Sequence, residues 1–213
     1  MKKIIIVFCL AFLASGLVAQ VAKKIELQRP DINGGLPVMK ALSLRASATD
    51  YDTTSLKIQA LSDLVWAANG VNRPDIGKRT APSAMNSQDI DVYVLMKSGA
   101  YLYDAKTHSL ELVAAGDHRL LAAGRQVEAA RAPVICLLVS DISRFRSGEE
   151  SMKMIWAAED AGIVSQNISL FCASAGLSTR PRATMDQEKL KEVLGLTPSQ
   201  RMMLNHPVSY KKE

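Results

Sequence analysis

Hydrophobic and polar positions divide the chain into stretches with two different periods. In "SLKIQALSDLVWAANG" apolar residues fall at 56, 58, 61, 64, 65 and 68, close to the repeat of one helix face. A helix is predicted there, with Ser55 as its N-cap and Gly70 just past its end. "DIDVYVLMKSGAYLYDAKTHSLELVAAG" switches to period two. Val92, Val94 and Met96 share one side, Tyr101 and Tyr103 repeat the pattern after the "KSG" turn, and Leu110 and Leu112 begin a third run. That pattern predicts a three-strand meander. "PVICLLVSD" is apolar without alternation and reads as a buried strand. "GEESMKMIWAAEDAGIVSQNISLFCASAGL" predicts the longest helix, from Glu149 to Ala175 with breaks at Gly162 and Gly176. It is apolar round most of its circumference, so burial on all sides is expected.

The remaining segments are shorter. Residues 20–40 contain two prolines and a Gly-Gly pair and read as an extended arm. A short helix ends near Arg45, before a turn segment rich in Ser and Thr. "HRLLAAGRQVEAARA" is a helical connector. The tail predicts a short amphipathic helix and then a strand near 201–205. Helices around a small, mainly antiparallel sheet define an α+β class. The order lacks the βαβ alternation of a dinucleotide-binding domain. No repeat or linker divides residues 20–213, which read as one domain.

The first nineteen residues differ in kind. "MKK", then "IIIVFCLAFLASG", then "LVA" give a basic start, an apolar run and a small-residue end. A signal peptide cleaved after Ala19 is expected, with an exported, periplasmic or secreted protein and no stable membrane anchor after cleavage. The rival is an uncleaved N-terminal anchor. Loss of Lys2 and Lys3 lowers the net charge from +5 to +3. So mild a basic bias, with 5% aromatic residues, argues against a nucleic-acid partner.

Cys136 and Cys172 remain after cleavage, both in apolar surroundings. Two buried thiols are expected, with a disulfide as the alternative in an exported chain. There is no Cys/His zinc spacing. "GVNRPDIGKRT" fails as a P-loop because six residues separate its glycines and Arg79 stands where Ser or Thr is needed. "CASAG" is not a nucleophile elbow. His108, His118 and His206 are scattered and lie at no triad or metal spacing.

"LSDLVWAANGVNRPDIGKRTAPSAMNSQDIDVYVLMKSGAYLYD" resembles the nitroreductase family of flavoproteins. It is most similar to the branch in which an "LLWAA-G-NR" helix leads into "KRTAPSA" and a strand. The likeness extends back to "LRASATDYD" and forward to "AGIVSQNISLFCASAGLST", covering most of residues 38–213. It implies a homodimer with FMN in the interface.

By this resemblance Arg45, Ala46, Ser47 and Thr49 align with the family's phosphate segment. Arg45 and Ser47 keep the family's residue types; Ala46 and Thr49 stand where the family carries basic residues, so two charges are missing. Lys211 or Lys212 supplies a further cation. Pro82, Ser83, Ala84 and Asn86 form a loop that reaches the flavin of the partner subunit, and the Asn86 amide suits its pyrimidine edge. Ala183 and Thr184 stand where the family brings backbone N–H groups to flavin N5, without the usual glycines. Arg182 is placed to face the pyrimidine side.

The resemblance implies ping-pong hydride transfer with no covalent side-chain catalyst, from reduced nicotinamide or another donor to a nitroaromatic, quinone or similar small-molecule acceptor. The alternatives are a flavin-binding protein with little or no turnover and an azoline-type peptide dehydrogenase.

Overall fold

The apolar run at 134–140 lies inside the main sheet, where both faces of a strand are covered. In the computed structural model, which describes residues 21–212, it forms most of β7 (Val134–Asp141), buried along its whole length except at Asp141. β4 (Ile90–Met96) pairs with it antiparallel, placing Tyr93 opposite Leu137 and Val94 opposite Cys136. The period-two rule then sends alternate residues to opposite faces. Val92, Val94, Cys136 and Leu138 join one apolar core, and Tyr93, Leu95, Ile135, Leu137 and Val139 join another.

The predicted meander is β4, β5 (Gly99–Asp104) and β6 (Ser109–Ala115), each pair antiparallel. β1 (Lys24–Glu26), within the expected extended arm, pairs with β6 at one edge. At the other side β9 (Gln200–Tyr210) pairs with β7, and β8 (Leu177–Thr179) pairs with β9. The seven strands run β1-β6-β5-β4-β7-β9-β8. The expected strand at 201–205 is therefore the first half of a strand of 11 residues. A separate hairpin joins β2 (Val71–Arg73) to β3 (Lys78–Arg79) inside the "GVNRPDIGKRT" stretch.

Five helices cover the sheet. α2 (Ile58–Asn69) and α4 (Glu150–Ser174) pack on the first core through Leu61, Leu64, Val65, Ala68, Ala161, Val164, Ile168 and Cys172. α3 (Arg119–Ala123) and α5 (Gln187–Leu194) close the second core through Ala122, Leu190 and Leu194. α1 (Val38–Leu44) lies against α4. α5 has a complete set of end signals: Asp186 accepts from the Lys189 N–H at 3.2 Å, and Gly195 turns left-handed at φ 62°.

Four sequence expectations change. α2 begins after Lys57 rather than Ser55, and no side chain caps it. Gly70 keeps an extended backbone. Its glycine is required by space, since a Cβ there would lie 2.4 Å from the Trp66 ring. Gly162 does not break α4, which runs through it as one helix of 25 residues. Packing outweighs the intrinsic cost of a helical glycine, about 1 kcal/mol. Nor is α4 buried all round. Ala157, Asp160, Ala161, Val164, Ile168 and Cys172 face inward, while Met152, Ile155 and Ile163 are exposed because no layer of this chain covers that side.

Leu138→Ala, at a position with no exposed surface, is expected to destabilise the fold by about 3 kcal/mol in urea unfolding, through lost burial and a residual cavity. A change under about 1 kcal/mol would contradict this account of the core.

Candidate functional site

The segment after α1 is drawn onto the sheet edge. The Ala48 N–H donates to the Thr179 carbonyl at 2.9 Å, and Ser47 bridges Thr179 in parallel fashion. The end of β9 lies alongside, held by the Lys211 N–H on the Gly176 carbonyl at 3.1 Å. Together they line a cavity of about 480 Å³ that includes Ala46, Ser47, Thr49, Ser178 and Lys211. Lys212 is engaged by Asp50, whose carboxyl is held below its ordinary range by that lysine. The Lys211 ammonium makes no ion pair among the described residues. Arg45, exposed at the end of α1, lies outside the cavity lining. A lysine, two exposed hydroxyls and a nearby arginine form a donor set that fits a phosphate monoester.

The second cluster is the turn between β3 and β4. Ser83 Oγ accepts from the Gln88 N–H at 2.8 Å, and the Ser83 carbonyl accepts from the Asn86 N–H at 2.9 Å. Met85, Asn86 and Gln88 all have left-handed backbone, at φ 52°, 54° and 49°. Three non-glycine residues in that region within four positions mark a loop held against its own preference. Several contacts hold it. Arg79 Nε donates to Gln88 Oε1 at 3.0 Å, and Gln88 Nε2 donates to the Gly77 carbonyl at 2.9 Å. Arg144 donates to the Gln88 carbonyl at 2.9 Å and grips Asp91 through two bonds of 2.9 and 2.6 Å. Burial pushes the Asp91 carboxyl up, with Arg144 opposing it. Pro82 and Asn86 are exposed, Ser83 and Ala84 partly so.

The third cluster is the loop between β8 and α5. Arg182 and Asn205 exchange backbone bonds of 2.9 and 2.7 Å, and Asn205 Nδ2 donates to the Thr184 carbonyl at 3.1 Å. The Arg182 guanidinium turns inward, only 5% of the residue being exposed. It donates to the carbonyls of Ala122 and Ala123, to Gln126 and to Asn205 at 2.6 to 3.2 Å. Thus the side chain expected to face a flavin clamps the loop from behind. No carboxylate pairs with it among the described residues. Ala183 is exposed, and neither its N–H nor that of Thr184 donates to a protein acceptor among the described residues. Two free main-chain donors on a rigid loop fit a ring nitrogen that must be approached by N–H groups.

Within one chain, 46–49 and Lys211 share one cavity, while Ala183 and Thr184 line a second of about 640 Å³ with Gly124. Pro82 to Asn86 line neither. Sequence reasoning missed Asn205, Gln126 and Asp160. An Asp on the inward stripe of α4 was a visible signal; Asn205 and Gln126 had none. Cys136 and Cys172 are both free and buried, and burial pushes the Cys136 thiol up to about 12. His206 is fully buried between Ser165 Oγ at 2.8 Å and Thr179 Oγ1 at 3.2 Å, and burial lowers its pKa to about 3. No group of His, Cys, Asp and Glu is placed to hold a metal ion among the described residues. None of the described helices is long and apolar enough to cross a membrane.

An α+β fold with these clusters defines a class, and comparison with known proteins identifies it. The profile of the Nitroreductase family matches residues 42–210, so the chain belongs to that family. A solved structure from Ralstonia eutropha JMP134, described as that of a nitroreductase, shares 34% identity at a TM-score of 0.86, covering 92% of this chain and 93% of that one. Two more distant structures share the fold. One is a nitroreductase-type protein from Desulfovibrio desulfuricans in complex with FMN, with 19% identity, TM-score 0.61, and 84% and 88% of the two chains covered. The other is the E. coli microcin synthetase McbBCD complex, with 16% identity, TM-score 0.71, and 100% and 85% covered. No curated protein gives a significant match. Membership of this family supports an oxidoreductase activity.

Two stability tests follow from the buried polar groups. Arg182→Met is expected to destabilise the protein by about 3 kcal/mol, because it leaves Asn205, Gln126 and two carbonyls short of donors. His206 is neutral when folded and charges on unfolding below its ordinary pKa of 6.5. Its depressed value therefore gives stability that is complete above pH 6.5 and drains as pH falls towards 3, by up to about 1.4 kcal/mol per pH unit. Urea unfolding across pH 4 to 7 should show a shallower pH slope for His206→Asn than for the wild type.

Proposed function

We propose that the protein is an exported FMN-dependent oxidoreductase that works as a homodimer. The observation that carries this is membership of the Nitroreductase family, supported by a cation-and-hydroxyl cavity at 46–49 and Lys211 and, lining a separate cavity, two main-chain N–H groups at 183–184 with no protein acceptor among the described residues. When bound, FMN supplies the two-electron chemistry: ping-pong exchange of hydride between a donor, such as reduced nicotinamide, and a nitroaromatic, quinone or similar acceptor.

The chain's own residues bind and orient. Ser47, Thr49 and Lys211 hold the phosphate, with Arg45 adding charge from the rim. The Ala183 and Thr184 N–H groups direct hydrogen bonds at the redox-active edge, and Arg182 and Asn205 keep those donors fixed. Asn86 of the partner subunit offers a donor and an acceptor to the pyrimidine edge. No side chain needs to act as a nucleophile.

The dimer is supported by the uncovered apolar surface of α1 and α4. Val38 is 62% exposed, Met39 74% and Ile155 52%. Exposed apolar side chains on two neighbouring helices suit a second copy better than water. In the proposed dimer the 82–86 loop of one chain would serve the cavities of the other.

The purified mature protein should be yellow, or become so with FMN, bleach with NADPH and recover with a nitro compound. A colourless protein that FMN cannot reconstitute would falsify the reading. Lys211→Glu should weaken FMN binding at least tenfold, measured by flavin fluorescence quenching. Size-exclusion chromatography with light scattering should return twice the chain mass.

A further inference from the structure

Residues 28–36 arch from α2 to the end of α4 and are tied down on both sides. On the α2 side the Gln28 N–H donates to Ser62 Oγ at 2.9 Å, the Asp31 N–H donates to Asp63 Oδ1 at 2.9 Å, and Gln59 Nε2 donates to the Arg29 carbonyl at 3.0 Å. At the α4 end Ser174 Oγ takes the Leu36 N–H at 2.6 Å and donates to the Leu36 carbonyl at 3.3 Å. Gly35 turns left-handed at φ 83° to pass this point, where a Cβ would lie 2.4 Å from Ser174 Oγ. The arch, α2 and the end of α4 together line a cavity of about 460 Å³. That volume falls among small-molecule sites, roughly 300–1,000 Å³. Its lining shares only Ser174 with the cavity at 46–49 and Lys211, and nothing with the one at 183–184.

The lining is aromatic and acidic. Trp66, Phe171 and Tyr210 contribute three rings, all partly buried. Two of them are held by the backbone: Trp66 Nε1 donates to the Val71 carbonyl at 3.0 Å, and the Tyr210 hydroxyl accepts the Lys57 N–H at 2.9 Å. Asp31 and Asp63 line the same space, and neither makes an ion pair among the described residues. Asp63 Oδ1 accepts from Asp31 and from Gln59, and Asp31 Oδ1 accepts the Asn33 N–H at 3.0 Å. The Oδ2 atom of each carboxyl accepts no hydrogen bond among the described residues. Lys57 is the one basic residue of the lining, so two carboxylates against one ammonium leave a single negative charge. Aromatic walls beside an uncompensated carboxylate suit an organic cation, because ring faces attract positive charge and the carboxylate balances it. An anion of the same shape meets two carboxylates, and a neutral molecule gains neither attraction.

We propose that this cavity binds an organic monocation with a compact apolar body, of the arylalkylammonium class. Its charge is met by Asp31 and Asp63, and its body packs on Trp66, Phe171 and Tyr210. Such an occupant touches the arch, α2 and α4 at once, so it holds the arch down as well as filling the cavity. The site does not rest on the flavin reading.

The test uses the whole mature protein without added flavin. The probe is benzyltrimethylammonium, with 3-phenylpropionate and 2-phenylethanol as its anionic and neutral counterparts. Calorimetric titration should show one benzyltrimethylammonium per chain, held roughly tenfold more tightly than either counterpart. The double variant Asp31→Asn, Asp63→Asn keeps both Oδ1 acceptors and removes both charges. It should bind the cation about tenfold more weakly and 2-phenylethanol as the wild type does. Ala60→Trp brings a ring into the cavity from α2 and should abolish uptake of the cation. The cation should also raise the melting temperature of the wild type and leave that of Ala60→Trp unchanged. Equal affinities for the three probes, an unchanged affinity in the double variant, or full uptake by Ala60→Trp would overturn the proposal. So would a wild type that takes up none of the probes, since a second copy or another segment would then cover the cavity.

Discussion

The pairing of β9 with β7 is the interaction on which every part of the site depends. Eight register pairs, from Val134 with Val208 to Asp141 with Gln200, fix one strand along the other. β9 then presents Asn205 to the 182–184 loop, His206 to α4 and Lys211 to the cavity beyond β8. A one-residue slip would turn each of these to the opposite face. The ladder does not slip because β7 is apolar on both sides, Cys136 and Leu138 filling one core and Leu137 the other.

Around that ladder the protein places rigid polar groups where chemistry is expected. Arg182 illustrates the method. A buried guanidinium is costly, and here four donors meet carbonyl and amide oxygens instead of a carboxylate. What the arrangement supplies is a loop held by Arg182 and Asn205, with the Ala183 and Thr184 N–H groups left without a protein acceptor among the described residues. The 83–88 turn uses a related device: three left-handed residues are kept in place by Asp160, Arg144 and Arg79. Strain of this kind persists only where surrounding contacts over-determine it.

Two features of a single copy support the proposed dimer. α4 is apolar on two sides, but the sheet covers only one. The loop bearing Asn86 and the cavity bearing Lys211 are separate in a single copy. The proposed second copy would account for both facts, so the dimer and the cofactor belong to one proposal.

Much of this was legible beforehand. Period-two and near-helical spacing located α2, the meander, β7, α4 and the strand after α5, because burial on one or two faces writes itself into a chain. The long motif from 61 to 104 was legible as a family resemblance, and the family profile bears it out. The short strands β2, β3 and β8 were not, since two or three residues carry no period. By itself the sequence determined the element types, the α+β class and the family. Only the tertiary structure decided that Gly162 stays helical, that Arg182 points inward and that Asp160 takes the Ala84 N–H. Each of those outcomes depends on which groups from distant segments are brought into contact, and no local pattern of residues encodes that.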